Sequence, residues 1–459
     1  MVEMSEPMLR ELRALVGEHN VLTDPEMTRG FSVDWTGRFV GQTAAVVRPH
    51  STEEVARLLR LLWAEGIPVV PQGGNTGLVG GGVPLHGEVV LSLAGFKKLY
   101  PVDSGAGQIT AQAGVTLAML REQPLKHGLT FGIDIASRDS ATVGGAIATN
   151  AGGLRMLRYG DMAAQLLGVE AVLADGSVIS HLDGLTKDNT GYRLHQLLAG
   201  SEGTLAVITQ ARLRLVPHYT HRAVGLVALP DIASAVALAG TLRRCIPPVE
   251  AIELFLQEGV ELLQRHLGLP QPFQTLSPVY LLAEAADRTD PASVLIEALA
   301  DINPDSILLA TSEADRKRLW RYREGHTEAI SRVGIPRKLD VSVPLTAFVE
   351  FAEAIPKALS EVSASAVPIR FGHIADGNLH VNVLHAAEEA DVDGAVFELV
   401  AQFGGSISAE HGIGTAKKPW LHLNRSDVEI RAARAIKASL DPANLLNPHV
   451  IFSEPESVG

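Results

Sequence analysis

Apolar residues between Ala44 and Val70 come in three bursts with different rhythms. AAVV is a short unbroken run, STEEVARLLRLLWAEG repeats its apolar positions every three or four residues, and IPVV is unbroken again. The change of period predicts strand, helix, strand. Ser51 followed by Glu54 predicts a capping box at the start of that helix, and Gly66 predicts its end. Upstream, residues 1–35 read as helical with a polar lead-in. Downstream, EVVLSL, QITAQAG, VEAVLADGSVIS and TLAVITQARLRLVP read as strands between glycine-bearing turns, with Asp175-Gly176 as a hairpin turn. This is a mixed α+β order and not a regular βαβ series.

Beyond Pro217 strands and helices alternate. AVGLVALP, VEAIELF and VYLLAEA read as strands, DIASAVALAGTLRRC and ASVLIEALADI as helices. A second half follows: helix EADRKRLWRYREGHTEAISRVG, strand RKLDVSVP, helix LTAFVEFAEAIPKALSEV, then strands PIRFGHI and NLHVNVLHA. Such an order suits an antiparallel sheet covered on one face by helices. The tail, SDVEIRAARAIKASL followed by DPANLLNP, is helical and then irregular. The expected division is 1–217, 218–415 and a C-terminal segment, 416–459, that packs back on an earlier part.

Composition narrows the function. Of 459 residues, 46% are apolar and 20% charged, which fits a folded protein and not a disordered one. A net charge of −13 argues against a nucleic-acid partner, because phosphate binding needs clustered Lys and Arg. Cys245 is the sole cysteine, which excludes an internal disulfide and any metal or iron–sulfur site built on cysteines alone. The first residues carry early glutamates and do not read as a secretory signal, and no stretch approaches the roughly 18 apolar residues of a membrane span. A cytoplasmic protein is the expectation, with peripheral membrane contact left open.

Glycine is unevenly spread: 24 of the 43 lie between Pro71 and Thr204. The densest stretch, PQGGNTGLVGGGVP, has six glycines in ten residues, Gly73 to Gly82, directly after IPVV. Such a loop can present consecutive N–H groups to an anion. It matches neither GxxxxGK[ST] nor a clean GxGxxG strand-turn-helix unit, so a tight structural loop is an equal reading. DSATVGGAIATNAGG (139–153) and GSEGTLAVIT (200–209) add two more small-residue clusters, as if three backbone segments approach one extended ligand.

A second set of residues can carry chemistry. In GHIADGNLHVNV, His373 and His380 flank an Asp376-Gly377 turn, and the period of two puts Asn382 on the face of His380. In SAEHGIG, Glu410 and His411 precede two glycines. Two imidazoles and a carboxylate make a three-ligand site suited to Zn²⁺ or another divalent ion, although paired histidines at a turn are also an ordinary structural feature. Arg323 and Thr327 lie four apart on one helix face, with Lys338 on the next strand. A guanidinium, a hydroxyl and an ammonium make a carboxylate clamp, against the alternative of surface helix charge that describes Arg321, Arg332 and Arg337.

PQGGNTGLVGG, TVGGAIATNAGGLRMLRYG, KDNTGYRLHQLLAGSEGTLAVIT and DPANLLNP together resemble the FAD-binding (PCMH-type) domain of the vanillyl-alcohol-oxidase-type flavoproteins. Within these the chain is most similar to the FAD-linked D-2-hydroxyacid dehydrogenases, the D-2-hydroxyglutarate and D-lactate dehydrogenase group. The resemblance implies an α+β fold: a two-part FAD-binding domain, a substrate domain with an antiparallel sheet covered by helices, and a C-terminal helical segment. It implies that Pro71, Gly73, Gly74, Asn75, Thr76 and Gly77 cradle the FAD diphosphate, and that Ser140, Thr142, Gly144, Gly145 and Asn150 line the flavin. Glu202, Gly203 and Ile208 would meet the far end of the cofactor, and Asn447 would reach the flavin. Asn75 stands where some relatives tether FAD through histidine, so noncovalent FAD is expected.

The same resemblance implies His373, His380 and Glu410 as metal ligands. Ala375 departs from the glycine usual in this motif, which matters only if that backbone takes positive φ. It implies Arg323, Thr327 and Lys338 around a distal carboxylate, favouring D-2-hydroxyglutarate over lactate or glycolate, with Asn382 also at the substrate. His411 is the candidate base for the hydroxyl proton, the alternative being an orienter of the metal. Electrons would leave to an external acceptor: electron-transfer flavoprotein, quinone or a separate iron–sulfur subunit. A homodimer is the expected assembly.

Overall fold

The computed structural model describes residues 4–453. It divides into one unit made of Met1–Gly153, Tyr159–His218 and Glu410–Gly459, and a second made of Leu154–Arg158 and Tyr219–Ala409.

In the first unit, Ser51 caps the helix Thr52–Ala64, its Oγ accepting from Glu54 N at 3.2 Å. The expected capping box is altered: Glu54 Oε2 accepts the N–H of His50 at 2.7 Å, one residue earlier than a box requires. Gly66, at φ +65°, ends the helix, with Ile67 N reaching back to the Leu62 carbonyl. The first sheet contains β1 (Val21–Leu22), β2 (Val46–Val47), β3 (Val69–Gln72) and β4 (Val89–Ser92) in the order β1-β2-β4-β3. The all-helical reading of residues 1–35 is corrected here. The helix Glu6–Val16 stops at Gly17, and Val21–Leu22 pairs antiparallel with Val46–Val47. Leu12, Leu58, Leu59 and Leu62 close the core over Val89 and Leu91.

The second sheet is antiparallel, with β5 (Gln108–Gln112), β9 (Val207–Arg214), β7 (Leu166–Val172) and β8 (Val178–His181) in that order. A two-stranded pair, β6 (Leu129–Thr130) with β10 (Val216–Pro217), lies outside it. The β7–β8 hairpin turns at Asp175-Gly176, where Gly176 takes φ +79°.

The C-terminal segment belongs to this first unit. The helix Asp427–Leu440 opens on a full Ser426–Glu429 capping box. Near its end Lys437 donates to the carbonyls of Thr204 (2.7 Å) and Leu446 (2.8 Å) and pairs with Asp441. Asp441 in turn accepts from the N–H groups of Leu445 and Leu446. DPANLLNP is thereby fastened to the 202–204 loop and to β3, where Leu446 bridges Val69.

The second unit is built on one antiparallel sheet of seven strands. They are β11 (His221–Leu229), β12 (Val249–Leu256), β13 (Val279–Asp287), β14 (Ile307–Ala310), β15 (Arg337–Ser342), β16 (Val367–Gly372) and β17 (Asn378–Leu384). Their order is β14-β11-β13-β12-β16-β17-β15. The expectation of helices on one face is corrected. The helices Gln257–Leu267 and Glu313–Val333 close one face over Val224, Phe255, Tyr280, Leu282 and Phe371. Ile232–Cys245 and Ala292–Ala298 close the other, where Gly225 meets Leu295. The helices Gln257–Leu267 and Val392–Gln402 escaped the sequence reading. Each carries an internal glycine, Gly259 and Gly394, and at Gly259 a Cβ would collide with the His326 ring. Among the described residues no helix is long and apolar enough to cross a membrane.

Lys437→Ala leaves Asp441, itself 1% exposed, as an unpaired buried charge. A loss of about 3–5 kcal/mol is expected, read as a lowered denaturation midpoint. Lys317→Ala, which removes the exposed pair with Glu313, is expected to leave the midpoint unchanged.

Candidate active site

The glycine loops of the first unit are shaped by close backbone approach. A Cβ on Gly74 would strike the Ser140 carbonyl, one on Gly73 would strike Thr142 Oγ1, and one on Gly144 would lie 2.8 Å from the Ala113 methyl. Gly73 and Gly74 let 71–77 lie directly on 139–145, and Gly144 lets 139–145 lie on Ala113. At Gly77 a Cβ would meet nothing, so that residue is not needed there for close backbone packing. Thr76 is half-buried, Ser140 is exposed, and Gly145 sits one turn into the helix Val143–Ala148.

Among the described residues seven non-glycines take positive φ, and four of them are candidate cofactor residues: Asn75, Asn150, Glu202 and Asn447. Their side chains fasten loops together. Asn75 donates to the carbonyls of Val33 (2.9 Å) and Gly30 (3.3 Å). Asn150 donates to Asp161 and accepts from Ala163 N, both at 2.8 Å. Asn447 donates to the carbonyls of Gly81 and Glu202, each at 2.8 Å, while its own N–H meets Val69 O. Gly203, at φ +73°, packs on Pro71. Ile208 is buried in the core of the second sheet. Asparagines at positive φ thus cross-brace these loops through side-chain hydrogen bonds, which restrains the backbone there.

Thr142 supplies the test of fit. It is 5% exposed, and its Oγ1 finds no hydrogen-bond partner among the described residues, a state that costs about 1–3 kcal/mol. Ser201 Oγ, on the facing loop cluster, is buried and unpartnered in the same sense. Two such unpartnered hydroxyls suit a ligand rich in acceptors, as a dinucleotide is.

Glu410 and His411 also belong to this unit. Gly153 N donates to Glu410 Oε1 at 2.6 Å, and His411 is half-buried. Glu202 holds the loop that follows, accepting from Ile413 N at 2.7 Å and Gly414 N at 2.8 Å. Burial pushes the Glu202 carboxyl above the usual range, against those two N–H groups.

In the second unit one sheet face collects the remaining candidates. Lys338 stands opposite Asn382, Asp340 opposite His380, and Phe371 opposite His380 on the other side. His373 follows β16 in the same parity as Phe371. Gly377, at φ +79°, folds the chain back so that the His373 and His380 rings meet at 5.2 Å. Ala375 takes no positive φ, and the residue that needs glycine there is Gly377, so the departure from the motif is accommodated. Arg243 holds this loop by donating to the Ala375 carbonyl.

Both imidazoles are oriented by buried carboxylates. His373 Nδ1 lies 2.7 Å from Glu253 Oε1, and His380 Nδ1 lies 3.1 Å from Asp340 Oδ1. A carboxylate at each Nδ1 favours the tautomer with its proton there, which puts the ring lone pair on Nε2, the tautomer a metal-binding histidine uses. The other oxygen of Glu253 takes Arg323 Nε at 2.7 Å, and the guanidinium stacks 4.6 Å over Phe371. Burial pushes the Glu253 carboxyl up, but His373 and Arg323 outweigh it and hold the group below the usual carboxylate range. Arg323 is 7% exposed, and among the described residues its terminal nitrogens have no hydrogen-bond partner. Thr327, four residues on, is exposed, and Lys338 is half-buried with its ammonium held below the ordinary lysine range by desolvation. Arg332, read as surface charge, pairs with Glu328 in the open.

Three residues of this face escaped the sequence reading: Glu253, Asp340 and His326. The first two are acidic residues between apolar neighbours on buried strands, Glu253 between Ile252 and Leu254 and Asp340 between Leu339 and Val341, and that was the available signal. His326, 1% exposed between Phe255 and Phe371, is kept neutral by burial, its pKa lowered to about 3.

The chain matches the FAD binding domain over residues 43–181 and the C-terminal domain of FAD linked oxidases over 219–451. It is 38% identical over 441 residues to the mitochondrial D-2-hydroxyglutarate dehydrogenase of Bos taurus, covering 94% of this chain and 80% of that one. It is 36% identical to the D-2-hydroxyglutarate dehydrogenase of Xanthomonas citri pv. viticola, covering 98% of both. It is 33% identical to a putative mitochondrial D-lactate dehydrogenase of Schizosaccharomyces pombe, covering 97% of this chain and 90% of that one. In fold it is similar to p-cresol methylhydroxylase solved with substrate bound, at 17% identity and a TM-score of 0.76, covering 97% and 96%.

Thr142→Val keeps the shape and removes the orphaned hydroxyl. The FAD dissociation constant is expected to rise about three- to tenfold while the apoprotein keeps or gains stability. An unchanged FAD constant in a titration of apoprotein would show that Thr142 takes no part in the cradle.

Proposed function

The chain belongs to the FAD-linked oxidases, and on that premise we propose that it oxidises a D-2-hydroxy acid to the 2-oxo acid by hydride transfer to flavin N5, with D-2-hydroxyglutarate the preferred substrate. The observation that carries the substrate choice is Arg323. A buried guanidinium, fixed at Nε and, among the described residues, without a hydrogen-bond partner at its terminal nitrogens, suits a bidentate carboxylate, and monocarboxylic lactate has no second one to offer. Lys338 adds a desolvated ammonium, Thr327 a hydroxyl, and Asn382, opposite Lys338, an amide toward the substrate. The net charge of −13 does not oppose this, because the local cations set the potential an anion meets. The reading of D-lactate as the preferred substrate draws on the fission-yeast relative.

FAD would be held noncovalently by 71–77, 139–150, 200–208 and Asn447, since Asn75 offers no nucleophile and spends its amide on Val33 and Gly30. His373, His380 and Glu410 would hold a divalent ion such as Zn²⁺; two imidazoles with Nδ1 turned to carboxylates suit that donor set. Bound FAD would supply the hydride acceptor, and the bound ion would acidify the substrate hydroxyl. His411 would take the hydroxyl proton, its loop fixed from behind by Glu202. We assign FAD to 1–217 and 416–459, and substrate and metal chiefly to 218–415. With Cys245 the only cysteine, electrons would pass to an external acceptor, whether electron-transfer flavoprotein, quinone or an iron–sulfur subunit. A homodimer is the assembly we favour.

Anaerobic D-2-hydroxyglutarate is expected to bleach the flavin absorbance of the purified protein stoichiometrically, D-lactate more slowly, and a chelator to suppress both. Faster bleaching by D-lactate would reverse the substrate choice, and indifference to the chelator would remove the metal. His411→Ala is expected to keep FAD and lose reduction by at least about a hundredfold.

Lys338 holds an anion only while protonated, so kcat/KM for D-2-hydroxyglutarate is expected to fall as pH rises through its depressed pKa, below the ordinary lysine range. D-lactate should lack that limb, and Lys338→Arg should move it to higher pH. A limb common to both substrates would assign it elsewhere.

A further inference from the structure

We propose that Glu253 is a shared positioning residue, one buried carboxylate that fixes both a metal-ligating histidine and the arginine that selects a second substrate carboxylate. The proposal rests on the reading of His373 and Arg323 given above. Glu253 lies in the middle of β12 at 0% exposure, where a carboxylate is costly unless both oxygens are satisfied. They are satisfied by different partners: Oε1 by His373 Nδ1 and Oε2 by Arg323 Nε, each at 2.7 Å.

The two partners arrive from separate elements, His373 from the end of β16 and Arg323 from the helix Glu313–Val333. Phe371 completes the arrangement, its ring under the guanidinium and its residue two before His373. Rotation of the carboxylate about its last bond would disturb both contacts together. Engagement of Arg323 through Nε leaves its terminal nitrogens as the pair facing an incoming carboxylate, and a proton held on His373 Nδ1 leaves Nε2 for a cation. Metal retention and selection of a dicarboxylic substrate therefore share one support.

The test uses full-length FAD-loaded protein and two scales: the Zn²⁺ dissociation constant by chelator competition, and the ratio of kcat/KM for D-2-hydroxyglutarate over D-lactate. Glu253→Gln is expected to weaken Zn²⁺ about 10- to 100-fold and to lower the ratio at least about tenfold, with FAD content unchanged. His373→Ala should move mainly the first scale, and Arg323→Met mainly the second. Glu253→Asp keeps the charge one methylene short and should fall between wild type and Glu253→Gln on both.

A Glu253→Gln protein that keeps FAD and stays at wild type on either scale overturns the proposal. If Glu253→Gln does not retain FAD, Glu253→Asp decides by the same criterion. Wild-type protein that takes up no Zn²⁺ overturns the metal reading and the proposal with it. A wild type that binds Zn²⁺ while the variants move a single scale overturns the proposal alone.

Discussion

A carboxylate inside a seven-stranded sheet is the constraint around which the second unit is arranged. Glu253 is shut off from bulk solvent, so the fold must bring it cations and N–H groups in fixed positions. That requirement explains why Arg323 is buried on an otherwise strongly charged helix, and why the His373 ring turns its Nδ1 inward. Asp340 repeats the solution three strands away, on β15, at 0% exposure, taking His380 and the Asn378 amide. Replacing such pairs with apolar residues would often cost nothing in stability. Their presence here makes sense as orientation of imidazole and guanidinium groups.

The first unit solves a different problem with different means. Its loops carry few charges and are held instead by backbone contact, with glycines where two chains touch and asparagines where φ is positive. Each device is expensive alone: the glycines in conformational entropy, the positive-φ residues in strain. Together they fix N–H groups in space without side chains that would fill the volume a dinucleotide needs. Lys437 and Asp441 anchor the C-terminal segment into the same cradle, so residues more than two hundred positions apart share the restraint on the 202–204 loop.

The sequence disclosed those parts whose causes are local. Ser51, Gly66 and the Asp175-Gly176 turn act on neighbouring backbone, and the structure has each where the pattern puts it, with only the second half of the Ser51 box displaced. Val21–Leu22 was illegible because two residues become a strand only through a partner about 25 positions away. Of the candidate site, His373, His380 and Arg323 were legible from motif and spacing. Their supports were not, because Glu253 lies 120 positions from His373 and 70 from Arg323. A charge in VEAIELFL announces that some partner exists but does not name it.

The asymmetry between ligands and supports follows from how each is used. A ligand or clamp must have a particular chemistry at a particular spot, so it sits in a recognisable short motif beside a glycine turn. A support needs only to be an acceptor at hydrogen-bond distance, and any strand that passes can supply it. Long-range pairing therefore decides the geometry of the short motifs, and the strand order β12-β16-β17-β15 matters to the chemistry as much as the histidines do. Shift β12 by one residue against β16 and Glu253 changes face, taking its charge away from both partners while every motif in the sequence stays intact.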